Sequence, residues 1–192
     1  MELSRRWRRV LIALIIISIF ASWVYFLHKI PPTELLALIG VKNSYLLSFI
    51  LALIGGTSLF FPFPYPIVVF TFAAGGSNPI LLGIFAGAGA FLGDSTSYFL
   101  GYSGREILPG EAKSFLNKFS ERLLKRGKPA LFFILLVYSS LSPFSNDFLV
   151  MPLGLARFPY WKTVLPLWLG NTIFNTLIAL SGFYGFHYFF LA

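Results

Sequence analysis

The sequence has no cysteine, only two histidines, and charges on just 11% of its 192 residues. Each shortage excludes a class of protein. Without cysteine there is no disulfide framework, no thiolate metal ligand and no Cys nucleophile. His28 and His187 lie at opposite ends of the chain and do not make a histidine metal site. No metal and no cofactor is expected. A soluble domain carries about 25% charged residues. A chain with less than half of that, 57% hydrophobic and with a mean hydropathy of +0.78, cannot coat a globule in water. Aromatic residues take the place of charge, at 19% of the chain. This is the composition of an all-α polytopic membrane protein. The net charge of +8 is then no nucleic-acid footprint. Basic residues that flank apolar spans set membrane topology.

Apolar runs are long. Residues 10–27 hold no charge, 43–100 hold only Asp94, 129–156 hold only Asp147, and 163–192 hold none beyond His187. A span needs about 20 such residues. Residues 1–9, with Arg5, Arg6, Arg8 and Arg9, read as a cytoplasmic basic N-terminus. The run 10–27 reads as a retained anchor, because it is long for a signal peptide and no small-x-small cleavage site follows. If every later run crosses once, the basic residues divide 6 inside against 9 outside, the wrong sign. If 44–76 and 129–156 instead dip in and return on opposite faces, they divide 13 inside against 2 outside. Charge therefore favours two re-entrant hairpins.

Each hairpin also has a local cause. Gly55-Gly56 followed by Pro62, Pro64 and Pro66 breaks the first, and Ser142-Pro143 with Pro152 breaks the second. Broken backbone at membrane depth survives where protein or a wet cavity satisfies its polar groups, so both breaks are expected to face inward, toward each other. Two proline-kinked helices joined by ordinary loops are the alternative. Hairpin, spanning helix, basic linker, hairpin, spanning helix is the order of an inverted-topology repeat, here a matter of order rather than of residue similarity. The membrane domain is placed at 44–192, multi-pass in the cell membrane. Within it the linker 101–128 carries an amphipathic helix, either lying on anionic headgroups or simply solvated.

Two aspartates stand out. A lone carboxylate at the centre of a spanning helix costs about 2.5–3.5 kcal/mol on insertion scales. It persists when paired, when protonated, or when it lines water. Asp94 and Asp147 therefore read as a proton site or as the lining of a headgroup path, or else as caps of broken helix ends. Asn146, Asn171 and Asn175 are expected along the same path, the last two bonding to hairpin backbone. Arg105 and Arg157 sit at the inner rim, where Arg157 either meets an entering phosphate or only flanks the span. The glycine- and alanine-rich stretch 83–93 reads as helix packing.

The run Gly93-Asp94-Ser95-Thr96-Ser97-Tyr98-Phe99-Leu100-Gly101-Tyr102-Ser103-Gly104-Arg105 resembles the G-D-x-x-x-Y-x-x-G-x-x-G-R signature of the DedA family, also called the SNARE-associated Golgi protein or VTT domain family. The proline-rich stretch upstream, the basic linker, Leu141-Ser142-Pro143, Gly154-Leu155 and Gly170-Asn171 follow in the family's order. The resemblance implies two opposed re-entrant hairpins and a lipid translocase or scramblase moving phospholipid or a lipid-phosphate carrier between leaflets, proton-linked in some members. Membrane lipids would be the partners. The chain departs from the family at Thr57 and Pro66, where bacterial members have glutamates, and at Ser140 and Asn146, where they have arginines. Those departures favour passive scrambling over proton coupling. A secondary transporter of a small ion or solute is the rival. An intramembrane aspartyl enzyme is the weakest reading, so no catalytic residue is assigned.

Overall fold

The computed structural model describes residues 29–57, 64–125, 128–142 and 145–190, together with Ser18, 21–23 and Tyr25. The basic N-terminus, most of the expected anchor 10–27, Pro62 and Pro143 lie outside the described residues. Among those described, every regular element is helical: α1 (Pro32–Ile39), α2 (Val41–Gly56), α3 (Tyr65–Ala74), α4 (Pro79–Gly104), α5 (Gly110–Lys125), α6 (Lys128–Leu141), α7 (Asp147–Leu155) and α8 (Tyr160–Phe190). A single 3₁₀ turn, Arg105–Ile107, extends α4.

Local chemistry sets these boundaries. Gly40, with φ of +85°, separates α1 from α2, and the two helices meet at 95°; a left-handed backbone position suits glycine because it has no Cβ. Asn78 starts α4, its side-chain oxygen accepting from the backbone N–H groups of Ile80 and Leu81 at 3.0 and 3.2 Å, with Pro79 at the first helical position. The expected breaks are present: α2 ends at Gly56 and α3 begins at Tyr65, while α6 ends at Leu141 and α7 begins at Asp147.

Two helices, taken as Pro79–Ile107 and Tyr160–Gly185, are long and apolar enough to cross a membrane. They run antiparallel against each other, with Gly83 facing Thr176, Gly87 facing Thr172 and Phe91 facing Trp168. Outward, α8 presents Leu165, Leu169, Ile173 and Leu177, every fourth residue, so a single apolar stripe is exposed. Such a stripe suits lipid contact. This is an all-α multi-pass membrane protein.

The shorter helices pack on the long pair in a crossed pattern. α2 lies on α4 and α6 lies on α8, whereas α3 lies on α8 and α7 lies on α4. Glycines make these approaches possible. A Cβ at Gly89 would strike the Phe49 carbonyl, and one at Gly101 the Met151 carbonyl. At Gly170 it would strike Ser139, and at Gly182 the Phe70 carbonyl. Gly101 and Gly182, like their partners Met151 and Phe70, differ by 81 in sequence number. Here the structure corrects one boundary. The linker was expected to begin at residue 101, but Gly101 is buried against α7 and the helix continues to Gly104.

Two apolar clusters result. One holds Ala52, Val69, Phe72, Leu82, Ala86, Ala90 and Ala179. The other holds Tyr98, Leu135, Val150, Leu153, Phe158 and Leu167. Between them, on both long helices, lies a polar layer: Asp94 falls between Ala90 and Tyr98, and Asn171 and Asn175 fall between Leu167 and Ala179.

The glycine contacts predict a contrast. Gly101→Ala should lower the thermal midpoint in detergent, since overpacking typically costs about 1–3 kcal/mol. Gly185→Ala, where a Cβ meets nothing within 4 Å, should leave it unchanged or raise it.

Candidate functional site

Asp94 is 2% exposed at the middle of the long pair. Its Oδ2 accepts from Asn146 Nδ2 and from Asn171 Nδ2, both at 2.9 Å. Asn146 Nδ2 also donates to Asn171 Oδ1 at 3.0 Å, closing a three-membered ring of side chains. Its members come from α4, from the break before α7, and from α8. A buried carboxylate needs such donors, because an isolated charge or an unpaired polar group in an apolar surround is costly. Asp94 also lines a cavity.

That cavity has a volume of about 400 Å³. Gly55, Gly56, Pro64, Tyr65 and Pro66 line it from the first break, and Ser139, Ser142, Ser145 and Asn146 from the second. Asp94, Asn171, Phe174 and Ile178 complete the wall from the long helices. The two breaks thus face one space, as the proline and serine pattern led one to expect. Next to it, Asn175 Nδ2 donates to the Asn171 carbonyl at 2.8 Å and to Tyr65 Oη at 3.4 Å. Asn175 Oδ1 is buried without a partner among the described residues.

The sequence had Asn171 and Asn175 bonding to hairpin backbone. Their partners are instead side chains, Asp94, Asn146 and Tyr65, together with the carbonyl of Asn171 itself. Asp147 is buried at the start of α7, where Ser145 Oγ donates to its Oδ2 at 2.8 Å. Asp147 and Asp94 share no direct hydrogen bond among the described residues. Tyr65 went unnoticed in the sequence. Its signal was a phenol between two prolines in an otherwise apolar break.

Arg105 and Arg157 do not reach this cavity. They line a second one, of about 370 Å³, with Glu106, Lys113 and Asn117. The motif arginine, Arg105, is buried: Nη1 donates to the Leu155 carbonyl at 2.7 Å, and Nη2 to Asn117 Oδ1 at 2.7 Å and the Lys113 carbonyl at 3.3 Å. It ties α4 to the end of α7 and to α5.

The motif tyrosine is structural as well. Tyr98 Oη donates to the Phe158 carbonyl, and its ring packs edge-on against Tyr160. Asp94, Tyr98, Gly101 and Arg105 of the G-D-x-x-x-Y-x-x-G-x-x-G-R run therefore all touch the second hairpin or the start of α8. A family model, the VTT domain, matches residues 61–184. The chain belongs to the VTT domain family. This is the domain of the DedA and SNARE-associated Golgi protein family. No curated protein and no solved structure matches the chain. Within this VTT domain, the amide of Asn146 holds the motif aspartate.

The ring makes a stability prediction. Asn171→Leu should destabilise the detergent-solubilised protein by about 1–3 kcal/mol, because it removes one donor from a buried carboxylate. Adding Asp94→Leu should restore part of that loss, since removing both partners leaves no orphaned group. A thermal-unfolding double-mutant cycle reads the coupling. Strict additivity would mean that the two side chains are independent.

Proposed function

We propose that the protein is a membrane lipid translocase of the scramblase type, which moves phospholipid or a lipid-phosphate carrier between leaflets. The observation that carries this reading is the cavity into which both helix breaks and Asp94 open. A polar crevice at membrane depth lets a headgroup cross while its tails stay in lipid. In this reading its polar lining is Asp94, Asn146, Asn171, Tyr65, Ser139, Ser142 and Ser145, with Asp147 and Asn175 outside that lining.

The crossed packing supports an inverted-topology repeat. Under an 81-residue offset the second hairpin arm and long helix of one half correspond to those of the other, as the paired contacts at Gly101 and Gly182 indicate. Transporters with such repeats place the site where the halves meet, and the Asp94 ring lies there. The basic-residue bias puts the N-terminus in the cytoplasm, and the lipid-facing stripe suits a cell-membrane protein. Neutral amides hold Asp94 in place of arginine. This favours passive exchange over proton-driven transport. The cavity volume would also suit a small ion or solute, so a secondary transporter remains the second reading.

Reconstituted protein should accelerate leaflet exchange of a labelled phospholipid above that of protein-free vesicles. Asp94→Asn should slow it about tenfold, the effect of one charge-assisted bond of about 1.4 kcal/mol. Exchange no faster than in empty vesicles, with solute flux present, would replace the lipid reading with the transporter one.

A further inference from the structure

The second cavity gathers more positive charge than its own residues neutralise. Arg105, Lys113 and Arg157 face one carboxylate, Glu106. The partners of the three cations among the described residues are all neutral. Arg105 donates to two carbonyls and an amide oxygen, Lys113 Nζ donates to the Glu106 carbonyl at 3.0 Å, and the Arg157 guanidinium lies 4.9 Å from the Tyr102 ring centre. Three of the five N–H donors of Arg105 and one of the three of Lys113 are engaged by these bonds. A cation–π contact uses no N–H donor, and Arg157 is exposed, so its guanidinium donors are available to an oxyanion.

The backbone at Arg157 adds an independent observation. Arg157 has φ of +51°, the one left-handed non-glycine among the described residues. The Phe158 N–H donates to the Leu153 carbonyl and the Arg157 N–H to the Gly154 carbonyl, each at 2.9 Å. This is a Schellman cap with arginine where glycine is the usual residue. At the end of α3 the same cap recurs, Ser77 to Phe72 and Gly76 to Ala73, and there the residue is Gly76, with φ of +109°. Arg157 follows Gly76 by the same 81 positions that separate Gly101 from Gly182. The fold is thus served by glycine at this position in one half, while the other half accepts a disfavoured backbone and places a cation over the cavity.

We propose that this cavity binds a phosphate group, held by Arg105, Lys113 and Arg157. The excess of two positive charges matches a phosphate monoester, which carries about −1.5 to −2 at neutral pH. Its ligand chemistry is common to an anionic lipid headgroup and to free phosphate. Bound there, it bridges α5 to the ends of α4 and α7. The proposal does not depend on lipid movement.

The test is thermal stability of the full chain in nanodiscs, titrated with inorganic phosphate in phosphatidylcholine discs and repeated in discs containing phosphatidic acid. A saturable rise in midpoint with inorganic phosphate assigns a soluble source, and a rise only with phosphatidic acid assigns the headgroup; either supports the site. Arg157→Gly should weaken the midpoint response about tenfold or more, the loss of one charge-assisted contact, without lowering the unliganded midpoint, because glycine suits the cap. Lys113→Gln should weaken it similarly. Lys118→Gln with Arg122→Gln, both exposed on α5, should leave it intact. No response to either probe, or an undiminished response in Arg157→Gly combined with Lys113→Gln, overturns the proposal.

Discussion

A carboxylate at membrane depth is the constraint around which the rest of this protein is arranged. Asp94 lies on a helix that is otherwise glycine, alanine and apolar residues from Pro79 to Gly93. Its side-chain oxygen takes its hydrogen bonds from donors brought to it from elsewhere in the chain: Asn146, 52 residues away, and Asn171, 77 residues away. Asn146 is delivered by the break between α6 and α7. To deliver Asn171, α8 has to approach α4 closely, which Gly83 and Gly87 permit by making room for Thr176 and Thr172. The cavity follows from the same requirement. The helix ends at Gly56, Tyr65, Leu141 and Asp147 lie around the carboxylate, and residues beside them line the space.

The crossed arrangement explains why one polar layer serves two apolar clusters. α4 is gripped by α2 at Gly89 and by α7 at Gly101, and α8 by α6 at Gly170 and by α3 at Gly182. Twelve residues separate Gly89 from Gly101, and twelve separate Gly170 from Gly182, so the two grips on each long helix fall in the same register. Asp94 lies between its pair of glycines where Asn175 lies between the other pair, five residues after the first in each case. The same register position therefore carries an acid on α4 and an amide on α8. That asymmetry gives the central cavity its single acidic wall, just as the glycine-to-arginine exchange at 76 and 157 gives the second cavity its charge.

Much of this was legible in the sequence because a bilayer punishes polar groups in a simple way. Apolar run length, two proline breaks and one isolated acid located the long helices, the breaks and Asp94. The periodicity of Phe115, Leu116, Phe119 and Leu123 located α5. Pairings across the fold were not legible. Nothing local in Leu38-Ile39-Gly40-Val41 announces a 95° turn. A rim arginine and a buried one look alike in sequence, so the burial of Arg105 among Leu155, Lys113 and Asn117 had no signal of its own. The partners of Asn171 and Asn175 depend on which helix faces them. The shared 12-residue glycine spacing was visible, but it acquires meaning only once the contacts are known.

The central claim is that water enters between the two breaks and reaches Asp94. The natural absence of cysteine allows it to be tested with single thiols. Phe174 lines the cavity and Ile173 is exposed on the outward stripe of the same helix. Charged, membrane-impermeant thiol reagents need water to react. In membranes, Phe174→Cys should be modified rapidly and Ile173→Cys hardly at all, despite its greater exposure. Modification of Ile173→Cys with protection of Phe174→Cys, or equal rates at both, would contradict a wet crevice between the hairpins.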